Sequence, residues 1–203
     1  NLAALLTLAL ILLACQAPAN KASSAAGQAV AGDVLVLAAL GDASNLIPML
    51  SSDSASHEVA GFVYNGLVKY DKDFNIVPDL AERWEILDAG RRLRFHLRRD
   101  VRWHDGQPFT ADDFVFWYED IYMNKDIQPT PHPDFMVNGK PGRLTKRDEY
   151  TVMFEFPEPN YLFVDILAGS TAMGGGQATQ QHFLRSMGAY MPAHYIKQLL
   201  PKY

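Results

Sequence analysis

Residues 101–120, VRWHDGQPFTADDFVFWYED, hold the densest set of side chains able to do chemistry: His104, Asp105, Asp112, Asp113, Glu119 and Asp120. A His beside an Asp is the raw material of a general base, the imidazole taking a proton and the carboxylate orienting it. Adjacent residues in a turn point apart, however, and no Ser, Cys or second base stands at a recognisable spacing. The chain has six His (57, 96, 104, 132, 182, 194), and none forms an H-x-x-x-H or H-E-x-x-H pair able to clamp a metal. The Gly-Gly-Gly at 174–176 lacks the Gly-Lys-Ser/Thr that a phosphate loop requires. Arg83, Arg91, Arg92, Arg94, Arg98, Arg99 and Arg102 form a cationic group that either pairs with nearby Asp and Glu or meets an anionic partner.

The elements that must carry these residues favour a structural reading of the 101–120 stretch. Val101 and Trp103 end a short strand, and His104-Asp105-Gly106 makes a turn. Thr110, with Asp113 three residues on, has the form of a capping box that starts a helix. Phe114, Trp117, Tyr118 and Ile121 then fall at i, i+3, i+4 and i+7, one buried face of a helix ending by about residue 124. Asp112 and Asp113 sit in its first turn, where the helix dipole favours a carboxylate.

Elsewhere, VLVLAA at 34–39 reads as a buried strand. Residues 57–67 read as a helix burying Val59, Phe62, Val63 and Leu67. A strand at 67–70 runs into a turn at 71–73, and 79–83 reads as a short helical turn after Pro78. A strand at 84–87 meets the hairpin turn Asp88-Ala89-Gly90. RLRFHLR at 92–98 alternates cleanly, with Leu93, Phe95 and Leu97 inward and the arginines outward. Residues 124–143 read as a Pro- and Gly-rich loop. YTVMFEF at 150–156 is a strand facing inward with Val152, Phe154 and Phe156. Helices are expected at 161–167 and from Tyr195 to about 200.

The 203 residues are 48% hydrophobic and 20% charged with a net charge of −5, a globular composition that argues against nucleic acid as a partner. One cysteine, Cys15, excludes an internal disulfide and a Cys-based zinc site. The apolar run at 2–14, LAALLTLALILLA, is shorter than the about 20 residues of a membrane span and fits the apolar part of a secretory signal. A basic region preceding Asn1 is expected. Leu12-Leu13-Ala14-Cys15 resembles a bacterial lipobox, which implies lipidation of Cys15 and attachment to a membrane. A plain signal with an incidental Cys is the alternative. Residues 16–32, rich in Ala, Ser and Gly, read as a flexible tether.

From Asn65 to Asp120 the chain resembles the N-terminal signature of the family 5 extracellular solute-binding proteins, the peptide/nickel class of ABC-importer receptors. Val77-Pro78-Asp79-Leu80-Ala81-Glu82 followed by Trp84, Phe95-His96-Leu97-Arg98, Trp103-His104-Asp105-Gly106 and Pro108-Phe109-Thr110-Ala111-Asp112-Asp113 carry it. Asn45-Leu46-Ile47-Pro48, residues 150–159 and Pro192-Ala193-His194-Tyr195 extend it in order along the chain.

The resemblance implies a mixed α/β (α+β) fold: an incomplete lobe of the type II periplasmic-binding-protein kind with an inserted antiparallel β-rich subdomain. The main subdomain is expected at 33–66 and 160–203, the insert at 67–159, and the second lobe outside these residues. It also implies a receptor, not an enzyme, that needs no cofactor. Such a receptor is a monomer at the outer face of the cytoplasmic membrane, delivering a peptide or similar solute to an ABC permease. Oligosaccharide, nickel complex and haem remain alternative solutes, and a non-transport envelope lipoprotein an alternative role. The loop Ser51-Ser52-Asp53-Ser54 is the expected ligand contact, with Asp53 available to a ligand amine.

Overall fold

The computed structural model describes residues 41–44, 53–131, 133–169 and 189–203. The expected strand at 34–39, Cys15, the tether, Ser51 and Ser52 lie outside them. The first described helix, α1 (Ser54–Val63), starts on Asp53, whose side chain accepts from the Ser56 N–H, and ends at Tyr64. It buries Ser56 and Ala60 rather than the expected face: Val59, Phe62 and Val63 are 40%, 70% and 65% exposed. Leu67 is buried, but beyond the helix, because Tyr64 is already extended.

A small hairpin follows, β1 (Val68–Tyr70) with β2 (Ile76–Pro78). Residues 79–83 are not helical. The N–H groups of Asp79 and Ala81 donate to the Leu67 carbonyl at 3.2 and 2.9 Å, and that of Leu80 to Gly66 at 3.0 Å. Those bonds draw the segment straight into the next strand.

That strand, β3 (Ala81–Leu87), opens a four-stranded antiparallel sheet with β4 (Arg92–Leu97), β7 (Arg143–Asp148) and β8 (Thr151–Glu155), in the order β3-β4-β8-β7. A tight turn with positive φ at Asp88, Ala89 and Gly90 joins β3 to β4. Gly90, at φ +86°, adopts the left-handed backbone that favours glycine, and a Cβ there would press on the Tyr161 ring.

In β4 the alternation holds, Leu93, Phe95 and Leu97 being buried. Among the described residues, three of the seven arginines of the cationic group pair with carboxylates, Arg83 with Glu82, Arg92 with Asp88 and Arg94 with Glu85, as does Arg147 on β7 with Glu155, while Arg98 and Arg102 bond backbone carbonyls. The expected loop at 124–143 holds a two-residue hairpin, β5 (Met136–Val137) and β6 (Lys140–Pro141), and leads into β7. β8 runs between β4 and β7 and is buried on both faces, Met153 at 1% as well as Phe154 at 0%, so inward alternation describes only half of it.

The sheet's inner face is covered by α2 (Ala111–Phe116), its continuation as a π-helical turn at Trp117–Tyr122, and α3 (Phe163–Ala168). The π turn carries one more residue than an α turn, so the buried set is wider than one stripe: Phe116 and Tyr122 join Phe114, Trp117 and Ile121. Phe135 is the hub of this core. Its ring meets those of Trp117, Tyr118, Tyr122, Phe154, Phe156 and Phe163 at centroid distances of 5.4–6.4 Å. The chain ends in α4 (Ala193–Ile196) and a tighter turn at Lys197–Leu199. Lys202 and Tyr203 then bond the largely buried carboxylate of Asp120.

Phe135→Ala removes the ring shared by six others and is expected to cost about 3–5 kcal/mol. Urea unfolding followed by fluorescence measures the loss.

Candidate functional site

The 101–109 segment is a compact loop rather than the end of a strand. It makes a single bridge between Arg102 and Pro108. Inside it the Trp103 N–H donates to the Gln107 carbonyl at 2.8 Å and the Gly106 N–H to the Trp103 carbonyl at 2.9 Å. Gly106 has φ +87° and the Asp105 side chain accepts from the Gln107 N–H at 3.1 Å, a turn built on an Asx contact.

His104 and Asp105 do not form a pair. Asp105 reaches instead to His194, 89 positions away, with Oδ2 at 2.7 Å from Nε2. Its carboxyl lies below the usual carboxylate range, first because of the Gln107 N–H and then because of His194.

Thr110 caps α2 as expected, its hydroxyl accepting from the Asp112 N–H at 3.3 Å while the Asp113 side chain accepts from the Thr110 N–H at 3.1 Å. Asp113 does more than close the box. Oδ2 also accepts from Trp103 Nε1 at 3.1 Å, and Oδ1 from the Ala193 N–H at 3.0 Å. Its backbone carbonyl accepts from the Met191 N–H at 3.2 Å. A residue 4% exposed thus ties α2, the 101–109 loop and α4 together. Burial pushes its carboxyl above the ordinary range, and the three N–H donors only partly oppose that. Asp112, in contrast, faces outward to Lys146 at 2.7 Å.

Between the 101–109 loop, the end of α1 and the 190–196 segment lies a cleft of about 620 Å³. Its walls include Tyr64, Trp103, Tyr190 and Tyr195, and Arg102, His104, Asp105 and His194 bring polar groups to it. Trp103 packs against Phe109, Tyr190 and His194 at 5.6, 5.9 and 6.3 Å. The Tyr190 hydroxyl donates to the Asn65 carbonyl at 2.6 Å and fixes the back of the cleft. A concave, mostly apolar space with a few polar groups suits the binding of a small molecule. Among the described residues no group of three His, Cys, Asp or Glu is arranged to hold a metal ion.

Of the expected ligand contacts, Asp53 does not line this cleft. Its carboxylate serves α1, accepting from the Ser56 N–H at 2.8 Å, the Ser56 hydroxyl at 2.7 Å and the Ser44 hydroxyl. Those donors, the Ser44 hydroxyl foremost, hold it far below the usual carboxylate range. Ser54 is the first residue of α1. No local pattern announces the Asp105–His194 and Asp113–Ala193 contacts, because each joins residues at least 80 positions apart.

The sign of the Asp113 shift can be tested. A carboxyl whose folded value is raised adds stability at low pH and loses it as pH rises through the folded value. The stability of the natural chain relative to Asp113→Asn should therefore rise as pH falls from 7 toward the unfolded value of 3.8. Urea titrations of both proteins across that range give the slope.

A family model for the bacterial extracellular solute-binding proteins, family 5 middle, matches residues 75–198. The chain is 30% identical over 175 residues to the oligopeptide-binding protein AppA of Bacillus subtilis, covering 85% of this chain and 32% of that protein. It is 39% identical over 88 residues to the probable deoxycholate-binding periplasmic protein YgiS of Escherichia coli, covering 43% of this chain and 16% of that one. Among solved structures, an oligopeptide-binding protein OppA superposes with a TM-score of 0.58 at 36% identity, covering 75% of this chain and 21% of that chain. The chain thus spans about a third or less of the length of these relatives. The fold is of their type, mixed α/β with antiparallel sheets, and the chain belongs to the family 5 bacterial extracellular solute-binding proteins.

Proposed function

We propose that this chain is part of the substrate-binding receptor of an ABC importer, capturing a peptide or similar solute outside the cytoplasmic membrane and delivering it to the permease. The family match over 75–198 carries the reading. The peptide class follows from the names of two relatives, oligopeptide-binding proteins, and is the finer part of the proposal. The deoxycholate-binding name of a third keeps the solute class open to experiment. Such a receptor works without covalent chemistry. Two lobes close on the solute because the closed form binds it more tightly, and the closed form is what the permease receives.

Within this reading the main subdomain comprises residues 33–66 and 160–203 and the insert residues 67–159. The insert supplies the four-stranded sheet and most of the aromatic core, to which Phe163 of the main subdomain adds its ring. Loop 51–54 contacts solute through Ser51, Ser52 and Ser54, while Asp53 supports it as the α1 cap. The receptor acts as a monomer, lipidated at Cys15 and held at the membrane by a tether at 16–32. One acyl chain binds a membrane only marginally, so stable attachment takes more than one.

Two measurements decide the matter. In the full-length protein, a matching peptide at 100 times its dissociation constant should stabilise the fold by about 2.7 kcal/mol, seen as a rise in melting temperature. A panel of peptides, sugars, nickel complexes and haem that produces no rise at all rules out the receptor reading and favours a lipoprotein that binds no solute. For the anchor, Cys15→Ser should move the protein from the membrane fraction to the soluble fraction. Retention in the membrane fraction counts against lipidation.

A further inference from the structure

The cleft beside Trp103 has a charge pattern of its own. Most arginines on the sheet are neutralised by carboxylates: Arg83, Arg92, Arg94 and Arg147 each have one. Arg102 differs. It lines the cleft, it is exposed, and its hydrogen bond runs from Nη1 to the Gly106 carbonyl at 2.9 Å, a partner that carries no charge. Among the described residues one carboxylate lines the cleft, that of Asp105, and it is engaged by His194 at 2.7 Å and by the Gln107 N–H at 3.1 Å. His104, which is exposed, also lines the cleft. The polar end of the space therefore carries a guanidinium with no carboxylate bonded to it among the described residues, beside a carboxylate already occupied by other donors, and the walls are aromatic.

We propose that this cleft binds an amphiphilic organic carboxylate. Its planar apolar body lies among Tyr64, Trp103 and Tyr195, and its carboxylate meets the Arg102 guanidinium, with His104 alongside. The volume of about 620 Å³ suits a body of two or three fused rings or an aromatic side chain with its carboxylate. The guanidinium is planar and presents paired N–H donors that match the two oxygens of a carboxylate, which a neutral amide cannot reproduce. The exposure of Arg102 means that added salt should weaken the binding. The inference does not rest on the importer reading. It concerns the groove beside the 101–109 loop, whether or not loop 51–54 touches a transported solute.

Calorimetric titration of the 203-residue chain with naphthalene-1-acetate and with its uncharged amide tests the inference. The acid should bind saturably and about tenfold more tightly than the amide, a preference of the size expected for a charge-assisted pair. In Arg102→Gln the two affinities should converge, the acid falling to the level of the amide. Unchanged amide binding in that variant reports an intact cleft. Failure of both probes to bind the natural chain overturns the proposal. So does equal binding of acid and amide, or a preference for the acid that survives in Arg102→Gln.

Discussion

A buried carboxylate holds the 101–116 stretch in register with the 191–196 segment. Asp113 has no cation bonded to it among the described residues. Three N–H groups surround it instead, from a helix cap, an indole and the start of α4, and its own carbonyl takes a fourth. Such a group is satisfied only when all its donors arrive together, since a carboxylate removed from water and left short of partners costs several kcal/mol. That requirement couples three features that sequence distance separates. The start of α2, the placement of the Trp103 ring and the path of residues 191–193 must be correct at once or not at all. The aromatic wall of the cleft inherits its position from this constraint, because Tyr190 and His194 flank the bonded residues and Trp103 packs against both at a tilt.

The sheet supports the arrangement from below. Four antiparallel strands present one apolar face, and Phe135, arriving from a short irregular segment, plugs the space between that face and the helices. The packing is edge-to-face in several directions, which favours one geometry over many, as aromatic quadrupoles do. Gly142 belongs to the same solution. A Cβ there would come within 2.7 Å of both Phe135 and Phe156, so the chain passes as bare backbone between two rings. A rigid body of this kind can hold binding loops without moving when they do.

Much of the scaffold is legible in the sequence, and the reasons are local. β4 declares itself by strict alternation, the turn at 88–90 by its Asp-Ala-Gly, and α2 by a capping box whose members are three residues apart. Where the reading fails, a long-range partner decides. Residues 79–83 resemble a helical turn, but Gly66 and Leu67 offer carbonyls that draw them into a strand. β7 escapes the sequence because an exposed strand with one buried side chain, Leu144, has no apolar rhythm to detect. In α1 the apolar residues at helical spacing face outward, which periodicity cannot reveal because it shows that a stripe exists and not what covers it. The cleft itself leaves no local trace, since its polar end joins Asp105 to a histidine 89 positions later.

Among the described residues the sheet leaves two strands, β3 and β7, with a neighbour on one side only. An open strand edge is a template on which another chain can grow, and the remedy is charge placed along it. Both edges have it. β3 carries Glu82, Arg83 and Glu85, and β7 carries Arg143, Lys146, Arg147 and Asp148. The same residues that erase the rhythm of β7 from the sequence are thus the ones whose charges oppose the addition of a further strand along its open edge.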